Sequence, residues 1–209
     1  MAQRSHGDVL SGPIDFYFDF SSPYGYFASV KIDELAAAHD RDVRWRPILL
    51  GAAFKVSGAK PLADQPLRGD YAKHDWQRMA RYMDVPMVLP EKFPLSTVAA
   101  ARAFYWAEDR DPLQARLLAK SLFHACFGEG KDISNPESVA DIAEALHMDR
   151  NNILDALGDD AVKQRLRDET DAAIARGVFG SPYIIVDGEG FWGSDRLWMV
   201  KKWLQSGGW

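Results

Sequence analysis

The chain of 209 residues carries one cysteine, Cys126, so no disulfide can close within it. Positive charge is also short. Twenty-five Lys and Arg against thirty Asp and Glu leave a net charge of −5, which provides no funnel for a polyanion and argues against nucleic acid as a partner. The five histidines (His6, His39, His74, His124, His147) include no pair at a ligand spacing, so no metal site is expected. Neither the G-x-S-x-G nucleophile elbow nor a G-x-x-x-x-G-K-[ST] phosphate loop occurs. Long apolar runs are absent, which argues against membrane spans. Residues 1–13 are polar and hold no apolar signal core, so a reducing cytoplasm is the expected location. What is present is the material of a buried core, with 47% hydrophobic and 26% charged residues in a length that suits one α/β body. Aromatics reach 12%, with seven Trp, enough for a core and for a pocket that takes a flat ligand.

Residues 1–12 lack periodicity and read as a frayed tail. The aromatic alternation of residues 14–20 predicts a strand, and Ser21-Ser22-Pro23 turns it into a helix: Ser22 sits where a cap belongs, and Pro23 suits a first helical position. Ala28, Ile32, Leu35 and Ala36 carry that helix to about residue 38, and residues 43–46 form a second strand, parallel to the first because a helix separates them. Residues 47–72, punctuated by Gly51, Gly58, Pro61, Pro66 and Gly69, read as a long loop. Helical patterns follow over 71–82, 97–107, 112–125, 137–146, 150–157 and 161–176, the fourth opened by Asn135-Pro136. Residues 183–186 and 191–192 flank the turn Asp187-Gly188-Glu189-Gly190 as a hairpin, and a last helix carries Leu197, Val200 and Leu204. The order βαβ, helices, ββα predicts a four-stranded sheet split in sequence by a helical insertion.

Three turns could carry chemistry. At Ser21-Ser22-Pro23-Tyr24-Gly25 a strand end feeds a helix start, gathering free N–H groups and the positive end of the helix dipole, although Ser22 as a plain cap explains the same residues. At Phe179-Gly180-Ser181-Pro182-Tyr183 a proline directly precedes a strand. At Trp192-Gly193-Ser194-Asp195-Arg196 polar groups sit at another strand-to-helix junction, where Ser194 or Asp195 could simply cap the last helix. Cys126, in a helical segment, reads as a packing residue.

Ser22-Pro23-x-Gly25 after a strand, with Gly180-Ser181-Pro182 before a late hairpin, resembles the thioredoxin superfamily in its DsbA-like form with an inserted helical domain, over residues 14–206. Phe16 to Tyr24, Val178 to Pro182 and Phe191 to Arg196 are similar to the active-site segments of 2-hydroxychromene-2-carboxylate isomerases and the related kappa-class glutathione transferases. The implied division is a thioredoxin-like domain of residues 13–50 and 177–209 around an inserted loop and helical domain of residues 51–176. Redox members hold Cys-x-x-Cys in the first turn; here Ser22 and Gly25 stand there, and disulfide exchange is unavailable.

The resemblance implies that glutathione supplies the missing thiol, with Ser22 beside its sulfur. A free thiol has a pKa of about 8.5, and each tenfold gain in acidity takes about 1.4 kcal/mol of preferential stabilisation, within reach of one hydroxyl hydrogen bond and a helix dipole. The family's proline at the Pro182 position is cis and turns the Ser181 backbone toward the ligand, which adds alongside it as a short strand. Ser194 and Asp195 are implied for the γ-glutamyl end. Arg68, in the place of a family lysine, is implied for the glycyl carboxylate. Ala59 replaces an asparagine of the kappa-class relatives, which leaves Lys60 as a substitute. For a substrate that carries a carboxylate, Lys55 with Arg46 are anion-clamp candidates or solvated surface, and Tyr24 and Trp192 are ring walls or core. The expected activity is reversible thiolate addition that isomerises a 2-hydroxychromene-2-carboxylate-like substrate. The alternatives are a kappa-like glutathione transferase and a non-catalytic binding module. A homodimer is expected.

Overall fold

The computed structural model describes residues 12–209; the tail expected at the N-terminus lies, apart from Gly12, outside the described residues. Strand β1 (Ile14–Phe18) is buried along its whole length because both its faces are covered. Phe16 and Phe18 point to one side, stacked at 5.0 Å and met edge-on by Trp45. Tyr17 points to the other, into a smaller cluster with Ile48, Ala173, Val178 and Ile185. Helix α1 (Pro23–Ala37) leads to β2 (Val43–Pro47), which pairs parallel to β1, as the intervening helix requires. Strands β3 (Tyr183–Val186) and β4 (Glu189–Trp192) form the expected hairpin, and the sheet order is β2-β1-β3-β4.

Register is what builds the site. β1 pairs antiparallel with β3 and Tyr17 faces Tyr183, so two residues further on Asp19 comes opposite Ser181. The end of β1, the start of α1 and the loop before β3 therefore meet at one edge of the sheet.

Between β2 and β3 lie α2 (Leu50–Ser57), a 3-10 turn (Leu62–Asp64), α3 (Arg68–Met83), α4 (Val98–Glu108), α5 (Pro112–Phe123), α6 (Pro136–Glu144), α7 (Arg150–Gly158) and α8 (Asp160–Ala175). The long loop expected over 47–72 is thus largely helical. Its Gly and Pro residues punctuate ends: Gly58, at φ 72°, closes α2 in the left-handed conformation that glycine adopts freely. With one buried position, Ala53, this helix shows no apolar stripe by which to be recognised. The helix expected over 112–125 stops at Phe123 and continues as a single π turn, His124–Gly128. Phe104 and Phe123 pack on Phe18 at 6.3 and 5.3 Å, which fuses the helical block to the sheet. Helix α9 (Leu197–Ser206) buries Val200 in the main core. Among the described residues no helix is long and apolar enough to cross a membrane. The architecture is α/β and thioredoxin-like, with helices inserted between the βαβ and ββα segments.

Candidate functional site

Ser22 is the N-cap of α1. Its backbone is extended (φ −97°, ψ 112°), its Oγ accepts from the Gly25 N–H at 3.1 Å, and Pro23 holds the first helical position. It is more than a cap, because the same hydroxyl donates to the Ser181 carbonyl oxygen at 2.9 Å, across 159 residues of chain. A second link runs the other way: the Asp19 N–H donates to Ser181 Oγ at 2.9 Å. Ser22 and Ser181 are 7% and 9% exposed, so this junction is nearly dry. The Ser181–Pro182 peptide is cis, as the resemblance implies. Gly25 gives room here, since a Cβ on it would stand 3.1 Å from Ser181 Oγ and 3.3 Å from Ser22 Cβ, so that these neighbours would have to give by a few tenths of an ångström.

Asp19 sets this turn, and the reading of the sequence missed it. Only 4% exposed, its carboxylate accepts from Ser21 N, Ser21 Oγ and Thr97 Oγ1 on one oxygen and from Leu50 N on the other, each at 2.8 Å. One side chain thereby ties the first turn to the starts of α2 and α4. Its sequence signal was an Asx-turn, Asp19-Phe20-Ser21-Ser22-Pro23 at a strand end.

The 3-10 turn Ser194–Arg196 is joined to the same loop by the Gly193 N–H, which donates to Pro182 O at 3.0 Å. Neither Ser194 nor Asp195 caps α9, whose N-cap Arg196 makes no side-chain bond; the capping reading is corrected. Ser194 is 8% exposed, whereas Asp195 is largely open and its carboxylate is held by Arg196 at 2.5 Å. Trp192 lies over the Gly180 backbone, where a Cβ would come 2.2 Å from Nε1, and meets Phe179 at 4.9 Å. It is exposed rather than core, and it screens the chain leading into Ser181.

Tyr24 is half-buried. Its hydroxyl donates to Asp75 of α3 at 2.8 Å and its ring meets Trp76 at 6.2 Å. Burial, with the Asp75 hydrogen bond and the charges of Asp75, Tyr71 and Asp195, pushes the phenol pKa far up, so Tyr24 stays protonated. It lines a cleft of about 330 Å³ with Leu62, Leu67, Arg68, Tyr71 and Ala72. The walls are apolar, and among the described residues Arg68 is the only charge in them. Its one side-chain hydrogen bond is to Gln65 Oε1 at 3.3 Å, and among the described residues no carboxylate pairs with it.

Lys60 and Lys55 are exposed and line neither this cleft nor a groove along β2. Arg46 is removed from any anion clamp. It donates to Asp15 and Glu169 at 2.9 Å each, on the face of the sheet that carries Tyr17. Burial raises the Asp15 pKa, but hydrogen bonds from Arg46 and Arg176 outweigh it and hold the carboxyl below its ordinary range. A second groove of about 380 Å³ along β2 is lined by Arg44, Arg46, Arg116, Arg165, Glu108 and Asp109; each of its arginines already has a carboxylate partner. Cys126 is fully buried, and burial with the fields of Asp132 and Asp19 pushes its thiol pKa far up, as suits a packing residue. Among the described residues no cluster of His, Cys, Asp and Glu could hold a metal ion.

The DSBA-like thioredoxin domain family matches residues 13–205. A 2-hydroxychromene-2-carboxylate isomerase of Pseudomonas putida is 32% identical over 191 residues, 90% of this chain and 92% of that protein. A kappa-class transferase of Caenorhabditis elegans, glutathione S-transferase kappa 2, is 29% identical over 91% of each chain. The solved structure of a 2-hydroxychromene-2-carboxylate isomerase superposes with a TM-score of 0.84 at 31% identity, covering 92% of this chain and 94% of that one. The chain belongs to the DSBA-like thioredoxin family, within the group that includes the 2-hydroxychromene-2-carboxylate isomerases.

Proposed function

We propose that the protein is a glutathione-dependent isomerase of 2-hydroxychromene-2-carboxylate-like aromatic substrates. The observation that carries this reading is Ser22: a buried hydroxyl at the start of α1, set against the Ser181 backbone, in a family site where this chain holds no thiol of its own. Glutathione, when bound, supplies the thiolate that adds reversibly to an unsaturated carbon of the substrate and leaves again, so it is not consumed.

The residues present fit such a group. In this reading the peptide adds as a strand along the Ser181 backbone, Ser194 sits on the turn tied to Pro182, and Arg68 is a cation with no carboxylate partner among the described residues. Two features oppose tight binding: Asp195 must exchange Arg196 for the ligand's ammonium, and Ala59 offers no amide. In this reading Ser22 donates to the sulfur while the α1 dipole stabilises its charge. Ser181, Pro182, Ser194, Asp195 and Arg68 hold the tripeptide, and Tyr24 and Trp192 face the substrate. The isomerase relative from Pseudomonas putida and the kappa-class relative support it. A cytoplasmic homodimer belongs to the same proposal, and light scattering should give twice the 23.4 kDa of the chain.

The test is a chromene carboxylate with catalytic glutathione. A change in absorbance that needs glutathione without using it up is expected, with loss of turnover in Ser22→Ala. The kappa-class relative favours a second reading, conjugation; a halogenated aromatic consumed one for one with glutathione, with no change in the chromene, would establish that instead. No heat with glutathione and no turnover would leave only a binding module.

A further inference from the structure

Resting on the reading that glutathione is the ligand, we propose that the Ser181 carbonyl gates the Ser22 proton. The hydroxyl is released to a sulfur only when the ligand's own backbone N–H replaces it on that carbonyl, so the site ionises peptidyl thiols and leaves simple thiols as they are. A serine hydroxyl has one proton to give, and that of Ser22 is given to Ser181 O at 2.9 Å, while its oxygen accepts from Gly25 N at 3.1 Å. The carbonyl belongs to a residue that is 9% exposed and whose Oγ is pinned by the Asp19 N–H, so it has little freedom to turn toward water.

A sulfur arriving at Ser22 needs that same proton. Taking it strips a buried acceptor of its donor, a loss that cancels much of the new bond. A simple thiol therefore gains little. A peptide lying along residue 181 as an added strand brings an N–H to the carbonyl, leaves nothing unpaired, and lets the hydroxyl rotate to the sulfur. The thiol's own proton goes to solvent; the Ser22 proton stays on its oxygen, shared with the thiolate.

Calorimetry with two ligands tests this: glutathione, and γ-glutamyl-alanyl-glycine, which has the N–H but no sulfur. In the wild-type protein the alanyl peptide displaces the Ser22 proton and offers it no acceptor. In Ser22→Ala the carbonyl is already free. The substitution should therefore weaken glutathione about tenfold, the worth of one charge-assisted hydrogen bond, and strengthen the alanyl peptide several-fold. Ser22→Gly, which keeps a tolerated N-cap, should give the same opposite signs and guards against a folding defect of the alanine variant. If both ligands weaken alike, or the alanyl peptide is unaffected, the gate is overturned while glutathione binding stands. If the wild-type protein releases no heat with glutathione, the functional reading itself falls.

Discussion

At the scale of single residues, the site depends on small side chains held in close register. Gly25→Ala should raise helix propensity by about 1 kcal/mol, yet its Cβ would press on Ser181 Oγ and Ser22 Cβ. The expected outcome is a melting temperature that is unchanged or higher together with a several-fold loss of glutathione affinity by calorimetry, because the contact distorts the cradle and not the helix. Cys126, buried among aromatics and kept protonated by burial, should be silent toward an aromatic disulfide reagent in the native protein and react fully once it is unfolded. Rapid reaction in the folded state would contradict its role as packing.

At the scale of elements, Asp19 holds together three chain segments that are far apart in sequence. Asp19→Ala leaves Thr97 Oγ1 and the Leu50 N–H without their acceptor and should cost about 3 kcal/mol in denaturant unfolding, with loss of hydrogen-exchange protection at Leu50, the first residue of α2. Elements with strong local signals were legible in the sequence. The aromatic alternation of β1, Ser22-Pro23 opening α1, Asn135-Pro136 opening α6 and the hairpin turn each state their structure within a few residues. Helix α2 was not, because eight residues with one buried position carry no period. Nor was Asp19, whose carboxylate finds partners up to 78 residues away. The link from Ser22 to Ser181 has no local signal at all; only the family resemblance brought those two turns together.

At the scale of the whole molecule, the two faces of the sheet have different tasks. One carries the aromatic core shared with the helices; the other carries Tyr17 and the ion network of Asp15, Arg46, Glu169 and Arg176. The Asp15 pKa is lower folded than unfolded, so this carboxylate contributes stability that is fully present above the unfolded value of about 4 and is lost as pH falls through the lower folded value. Asp15→Asn should therefore destabilise the protein by about 3 kcal/mol at neutral pH, and the difference should shrink below about pH 4, as chemical denaturation across pH would show. A constant difference down to the acid limit would mean that the network is not charged as its geometry indicates.

The central claim is that a chain with no reactive thiol of its own ionises a borrowed one at Ser22. The ultraviolet absorbance of the thiolate, followed against pH for glutathione saturated with protein, reads this directly. The account requires a midpoint between about pH 6.5 and 7.5 in the wild-type complex, well below the free thiol's value of about 8.5, and a return toward that value in Ser22→Ala. A bound sulfur that titrates as it does free in solution, or equally in both proteins, would contradict it.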